Sequence, residues 1–534
     1  MSAPIPFFRA GRSAGDAHPL PLGFISGPLI FDSGEADHTF FYRCQDRYLV
    51  YNALAGVRSL LFVIDANHRD RYTRLIADLN RRLDRVSAWT GAPLPPVAAP
   101  LMIPLDPDDL AVHDAPFLES HLREPSVRES IARGEILFNQ ASPTGARLLL
   151  EIATLLRRYN LEWDLDADRL RAQGALALWC HDKANYVAVV AASDRSLPAH
   201  ARSAIVTVED LLPLGGWSDL AALYTRRTGW AAPPALYVKS ACDSGGNVAC
   251  KVTPDNGAAA IDRLHREMLM RVVWDRGHHT VRLAELAGEI ALAPSLGDLR
   301  PAEQTLARYL ETQHGRRHNV RFLVQEAVDA PSNGGAWHCE GAGITCVVAA
   351  AADAEVYSTA GQIYSDADRQ HYIGSLLSES AADLALDARA DAGVRALARE
   401  FGRRGYEGPL NFDARRDDTG QWVFIYDCNP RLSAIYPALA TRSCVNRVHG
   451  VHTIVSLGYR GEFSTPDLDG LLATLSDQQL LYTVASGRGV LPLPNLARQG
   501  GCDLVIVNMS PEEVQEFART PAIPRRAGTR VVIY

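Results

Sequence analysis

Three polar side chains alternate directly after an apolar run late in this 534-residue sequence: Trp422-Val423-Phe424-Ile425-Tyr426 is followed by Asp427, Asn429 and Arg431, with Cys428 and Pro430 between them. Residues two apart on a strand share a face, so Asp427 and Asn429 point the same way and Arg431 joins them. Cys428 then points to the opposite face and reads as a core thiol. The run is preceded by Gly408-Pro409-Leu410-Asn411-Phe412-Asp413 and the turn residues Asp417-Asp418-Thr419-Gly420. That is a hairpin, and it brings Asp413 close to the other two. Three converging oxygen ligands suit Mg²⁺, with Mn²⁺ as the alternative, because such ions take a few carboxylate or amide oxygens and leave the rest to water and phosphate. Arg431 adds a forked donor for a phosphate or carboxylate. Polar residues at a hairpin end with a surface salt bridge are the plainer explanation, but alternation after an apolar run favours a site.

A second feature is Lys239 at the end of the strand-like Ala235-Leu236-Tyr237-Val238, followed by Ser240 to Asn247 with the paired glycines Gly245 and Gly246, and then a second strand, Val248 to Val252. A Walker loop needs Gly-Lys-Ser/Thr and an immediate helix, and neither is present. A flexible hairpin can instead fold over a triphosphate, the peptide N–H groups of Ser244, Gly245 and Gly246 cradling oxygens while Lys239 neutralises charge. A simple β-hairpin with a solvated lysine has the same local pattern. Among the 16 histidines no pair sits at metal-ligand spacing with a clear partner, and His278, His279 and His314 read as solvated.

Positioning these groups requires alternating strands and helices. Residues 1 to about 175 read as one α/β unit: short apolar runs such as Arg58 to Ala66, a helix-spaced stretch from Asn67 to Asp84, a proline-dense connector around the strand Val97 to Leu105, and the amphipathic helix Gly145 to Tyr159. From Asp182 a helix over 183–192 leads to the segment 204–211, then to strands at 235–239 and 248–252 and the helix 258–274. Residues 281–320 read as a helical insertion, and 321–328, 344–352 and 354–361 as successive strands. The tail beyond about 460 ends in two apolar runs, Asp503 to Met509 and Arg530 to Tyr534.

At roughly 150 residues per domain the length implies three or four folding units. Hydrophobic residues at 47% and charged residues at 22% describe a folded globular chain. The formal charge of −8 is spread thinly, which argues against a nucleic-acid partner. Nine cysteines without a CxxC pair fit neither a zinc ribbon nor a disulfide scaffold and read as reduced thiols. No signal-peptide core and no membrane-length apolar stretch is evident, so the expectation is a cytoplasmic protein with no membrane partner.

Taken together these residues resemble the ATP-grasp superfamily of carboxylate–amine ligases over about Asp182 to Thr441. The resemblance implies an α/β (α+β) fold with these units: a pre-ATP-grasp domain (1–175), a small nucleotide-binding subdomain with a helical insertion (176–327), a large subdomain with the metal and substrate site (328–457) and a small C-terminal domain (458–534). It implies that Lys183, in the Asp182-Lys183 helix start, reaches the ATP α-phosphate and that Lys239 touches the α- and β-phosphates. Gln325-Glu326-Ala327-Val328 is similar to the family's adenine hinge, in which the first carbonyl and the fourth N–H address the base. Asp413 and Asp427 then correspond to the Mg²⁺-bridging acids, Asn429 to the amide ligand, and Arg431 with Lys239 to the catalytic cations on the transferring phosphate. Both acids are Asp where many relatives have Glu, and Asp329 is the candidate ribose contact. The segments Ser358 to Gln362 and His371 to Ser375 lie where such enzymes line the carboxylate pocket. The layout is most similar to the pheganomycin-type peptide ligases, implying ATP and Mg²⁺ as cofactors and a small carboxylate and an amine, amino acid or peptide, as substrates of specialised metabolism. The inserted region and C-terminal cap fit a homodimer or a bulky substrate equally. A kinase acting on a hydroxyl and a non-catalytic nucleotide-binding regulator are the alternatives.

Overall fold

The computed structural model describes residues 49–63, 68–98, 134–138, 143–161, 164–193, 196–241, 249–274, 321–328, 341–349, 353–364, 372–378, 384–432, 435–445, 453–457, 465–494 and 502–519, with short pieces at 5, 8–12, 20–24, 101–104, 123, 125, 128, 459–460 and 532–533. The architecture is the mixed α/β type expected from the sequence, built on three main sheets.

The first sheet has the order β4-β3-β2-β5-β1-β6 and contains β1 (Phe8–Arg12), β2 (Leu20–Phe24), β3 (Arg58–Val63), β4 (Leu101–Pro104), β5 (Gly134–Phe138) and β6 (Asp164–Leu165). Strands β2 to β5 run parallel, and β1 is antiparallel to both neighbours. Helices of this part include α1 (His68–Thr90), α2 (Pro143–Arg157) and α3 (Ala167–His181). On α2, Leu149, Ile152, Ala153 and Leu156 are buried at the three- and four-residue spacing of an amphipathic helix.

Next come α4 (Lys183–Ala192), β7 (Ser203–Thr207), the short α5 (Val208–Leu211), α6 (Trp217–Thr228), β8 (Leu236–Ser240), β9 (Ala249–Val252), α7 (Gly257–Trp274) and β10 (Arg321–Glu326). The strands form an antiparallel sheet, β7-β10-β8-β9. Its central strand is buried on both faces: Phe322 and Val324 enter a core shared with α6 and α7, whereas Leu323 joins the main core on the other side. A strand covered on both sides shows no alternation, and Phe322 to Gln325 is a continuous buried run.

The third sheet is antiparallel throughout, in the order β15-β14-β11-β12-β13-β16-β19-β18. It contains β11 (Gly341–Val348), β12 (Ala354–Tyr364), β13 (Tyr372–Ser378), β14 (Gly408–Arg416), β15 (Trp422–Asn429), β16 (Thr453–Leu457), β18 (Gly489–Pro494) and β19 (Cys502–Val507); β17 (Tyr459–Arg460) and β20 (Val532–Ile533) pair separately. The sheet therefore runs across the 457/458 boundary, because β19 pairs directly with β16. Helix α8 (Ala388–Gly402) packs on β11 and β12. It starts at Asp387, whose carboxylate accepts from the Ala390 N–H at 2.7 Å, and buries Val394, Leu397, Ala398 and Phe401. Helices α9 (Tyr436–Val445), α10 (Thr465–Asp477) and α11 (Pro511–Arg519) complete the described chain. Among the described residues no helix is long and apolar enough to cross a membrane.

Candidate functional site

The hairpin β14–β15 forms because its turn is self-bonded. Asp417 Oδ1 accepts from the Thr419 N–H, the Gln421 N–H (2.9 Å each) and the Thr419 hydroxyl (2.7 Å), and Gly420 takes φ +82°. One face carries Phe412, Phe424 and Cys428, all at most 1% exposed. They pack with Tyr186 of α4 and Phe401 of α8. The other face carries Asn411, Asp413 and Arg415 on β14 and Asp427 and Asn429 on β15. Register is regular at Asn411↔Asn429 and Phe412↔Cys428, then shifts so that Ala414 pairs with Phe424, with Tyr426 at φ +52°.

Two lysines reach this hairpin from the smaller sheet and its flanking helix. Helix α4 is capped by Asp182, whose carboxylate accepts from the Ala184 N–H at 2.8 Å and from the Arg321 guanidinium. The Lys183 N–H donates to the Ala241 carbonyl at 2.8 Å, tying the helix start to the end of β8. The Lys183 side chain is 3% exposed and its Nζ lies 3.7 Å from Asp427 Oδ2. Lys239 Nζ donates to the Ile425 carbonyl at 3.4 Å and lies 5.8 Å from the Tyr237 ring centre. Burial first, with Arg415 and Lys183 adding to it, lowers the Lys239 ammonium to about 8 against the opposing pull of Asp427 and Asp413.

Asp413 is pushed up to about 7, first by burial and then by the Asp427 carboxylate, while a Gln362 hydrogen bond, Lys239 and Lys183 act in the other direction. Gln362 sits on β12, where Gly341 opposite it leaves room: a Cβ at 341 would lie 2.7 Å from Gln362 Oε1. Two residues further along β11, a Cβ on Gly343 would lie 2.9 Å from Asn411 Nδ2, which donates to Thr345 Oγ1 at 3.1 Å. Arg431 donates from Nη2 to Asn429 Oδ1 at 3.1 Å, and its N–H bonds the Asn429 carbonyl at 2.7 Å.

Lys183, Lys239, Asp413, Asp427, Asn429 and Arg431 are thus brought together. Gln325, Glu326 and Val328 lie at the end of β10, whose Leu323 pairs with Lys239 and Gln325 with Tyr237. Gln325 is 1% exposed and its Oε1 has no hydrogen-bond partner among the described residues. The Glu326 carboxylate accepts from the Arg202 N–H at 2.7 Å, and the Glu326 and Ala327 N–H groups bond the carbonyls of Arg202 and Ala235. Ser244, Gly245, Gly246 and Asp329 lie outside the described residues, as do His278, His279, His314 and His371.

Sequence reasoning passed over three residues of this site. Gln362 stands out in the sequence only as part of the polar segment Ser358 to Gln362. His181, two residues before Lys183, is 1% exposed, and neither ring nitrogen makes a well-aligned hydrogen bond among the described residues. Burial, then Lys183 and Arg431, hold its imidazole well below the usual histidine range. Tyr426 carries an aromatic side chain in a backbone conformation that nothing in the sequence marks.

An oxygen-only set of two carboxylates and an amide on one strand face fits a hard cation, and the mutual repulsion of Asp413 and Asp427 is what such an ion would relieve. Among the described residues no group of three or more His, Cys, Asp or Glu side chains converges that could hold a metal ion by itself.

No family model and no curated protein matches the chain. Similar solved structures include an ADP complex of N5-carboxyaminoimidazole ribonucleotide synthetase, with 11% identity, 96% of this chain and 97% of that one covered, and a TM-score of 0.42. Biotin carboxylase from Campylobacter jejuni gives 11%, 92% and 87%, and 0.40. An L-amino acid ligase from Bacillus licheniformis gives 12%, 94% and 96%, and 0.39. Likenesses this remote do not carry an activity or a substrate to this chain.

Proposed function

We propose that this protein is an ATP-dependent, ADP-forming carboxylate–amine ligase of the ATP-grasp type, most like the pheganomycin-type peptide ligases. The observation that carries the reading is the convergence of Lys183 and Lys239, from a helix start and a strand of the smaller sheet, on the hairpin bearing Asp413, Asp427, Asn429 and Arg431. Residues 1–175 serve as the pre-ATP-grasp domain, 176–327 as the nucleotide-binding subdomain, 328–457 as the large subdomain, and 458–534 as a C-terminal unit contributing strands to its sheet.

Carboxylate oxygen is a poor leaving group, so the acid must be activated before an amine can replace it. One carboxylate oxygen attacks the γ-phosphorus of ATP, the bond to the bridging oxygen breaks, and ADP departs. An anion approaches a polyanion in this step, so fixed cations must lie where charge gathers. Lys183 and Lys239 flank the phosphates, and Arg431, oriented by Asn429, holds the transferring group. Asp413, Asp427 and Asn429 would hold Mg²⁺, which supplies further neutralisation of the phosphate charge when bound. A neutral amine then attacks the acyl phosphate carbon, phosphate leaves, and the nitrogen loses its proton. Gln325 through Val328 form the edge that reads adenine.

The test is ADP and phosphate release from ATP with Mg²⁺ across pooled amino acids and peptides, with mass spectrometry for a condensed product. Release that requires both a carboxylate and an amine, with an amide product, is expected. A phosphorylated hydroxyl product, or tight ATP binding without turnover across the pools, would overturn the ligase reading in favour of a kinase or a regulator.

A further inference from the structure

Strand pairing along β14–β15 breaks at the two acids. Phe412 pairs with Cys428 and Ala414 with Phe424, so Asp413 alone faces Ile425, Tyr426 and Asp427. Two extra residues are folded out of β15, and the chain accommodates them by placing Tyr426 at φ +52°. A residue with a Cβ disfavours that region, and such a conformation persists only where the surroundings impose it. Here they do: the Tyr426 ring lies 5.0 Å from His200 and 5.2 Å from Tyr186, its hydroxyl bonds Ser203, and it is 7% exposed. His200 is itself fixed between the Tyr186 hydroxyl at 3.0 Å and the Pro198 carbonyl at 2.7 Å.

Because the insertion is even, Phe424 and Cys428 both remain in the core and Asp427 stays on the face of Asn429. The opened ladder has two further effects. It turns the Ile425 carbonyl to Lys239 and sets Asp427 against Lys183, so both lysines rest on the same three residues. A regular register would instead place Asp427 directly opposite Asp413, two carboxylates face to face.

We infer that Tyr426 is a positioning residue, and that the left-handed bulge it forms sets the offset between Asp413 and Asp427 and holds both lysines beside them. The inference rests on the ligase reading of this site. It makes the backbone conformation at 426, rather than the aromatic ring, the determinant of metal affinity.

The experiment compares Tyr426→Phe, Tyr426→Gly, Tyr426→Asn and Tyr426→Val in the full chain, measuring Mn²⁺ affinity by electron paramagnetic resonance without nucleotide and Tm on the same samples. Gly and Asn enter the left-handed region readily, whereas Val does not. The expected Mn²⁺ Kd stays within about threefold of the parent for Phe, Gly and Asn and rises about tenfold or more for Val, the scale of a disturbed supporting shell. Tm falls for Gly, Asn and Val alike, since all three lose the ring and its contacts, so Gly and Asn separate the two effects: their Tm falls while their Kd holds. If the Kd follows Tm across the series, or if Gly and Asn lose about tenfold while still folded, the bulge assignment is overturned. Should Val fail to fold, Tyr426→Ala, which has a Cβ but no branch, takes its place, and a Kd for Val or Ala within about threefold of the parent also overturns the assignment. Asp427→Asn separates the two levels: unchanged Mn²⁺ binding in that variant removes the metal site and this inference with it, whereas lost binding together with a Kd that follows Tm removes only the role of the bulge.

Discussion

Replacing Asp413 by Asn should stabilise the metal-free protein at alkaline pH while removing its activity. Burial and Asp427 together outweigh Gln362, Lys239 and Lys183, so the carboxyl rises from its ordinary 3.8 to about 7. Below 3.8 it is protonated in both folded and unfolded chains and ionisation has no effect on stability. Between 3.8 and about 7 the unfolded chain releases the proton while the folded chain keeps it, so stability falls as pH rises, with the full cost present above about 7. At about 1.4 kcal/mol per pH unit the cost approaches about 4 kcal/mol. The side chain is half-buried, so solvent screening lowers this to about 2–4 kcal/mol. Asn keeps an oxygen for the Gln362 donor and has no charge to bury. The assay is thermal unfolding of both proteins at pH 5 and pH 8, each in EDTA and in millimolar Mg²⁺. In EDTA at pH 8 the variant should unfold a few degrees higher, on the order of the estimated energy for a chain of this size. The gap should shrink at pH 5, and Mg²⁺ should raise the Tm of the parent more than that of the variant. A variant less stable than the parent in EDTA at pH 8, or a gap independent of pH, would refute the balance of forces assigned to this carboxylate.

Three further outcomes are expected. Arg431→Ala should lower kcat far more than it raises the KM for ATP, because the guanidinium acts on the transferring group; a pure KM effect in steady-state kinetics contradicts that role. Gly343→Ala places a Cβ 2.9 Å from Asn411 Nδ2 and must push that amide from Thr345, costing about 1–3 kcal/mol in urea unfolding; an unchanged midpoint would mean that Asn411 moves freely. Tyr186→Phe removes the hydroxyl on which His200 Nε2 relies, and leaving that buried nitrogen unsatisfied should cost about 1–3 kcal/mol. His200, lowered to about 4 by burial, cannot recover the loss by protonation at neutral pH, so equal stability of the variant at pH 7 would count against the hydrogen bond.

What the sequence reveals about this site depends on how local the cause is. Asp427, Asn429 and Arg431 are legible because strand periodicity and the Asp417–Gly420 turn are encoded within a few residues of them. The bulge is not, since a left-handed residue is ordinarily betrayed by Gly or Asn, and here a tyrosine is held there by Tyr186 and His200, more than 200 residues away in sequence. The burial of Lys183 is equally long-range, arising from β8 and β15 together. The apolar run Asp503 to Met509 marks the position of β19, but nothing in it names β16 as the partner, so the large sheet extends further than the composition of the C-terminal segment implies.

The segment between α4 and β7 has one more consequence. Strand β15 is the last strand of the large sheet, and a bare outer strand is a template for pairing with another chain. Residues 199–201 lie along it: the Phe424 N–H bonds the Ala199 carbonyl and the Ala201 N–H bonds the Phe424 carbonyl, at 2.8 and 2.9 Å, with His200 bridging in parallel. The segment that joins α4 to β7 thereby also covers the edge of the large sheet. Peeling it away would uncover Phe424 and the adjoining backbone, so this segment guards the outer strand against pairing with another chain.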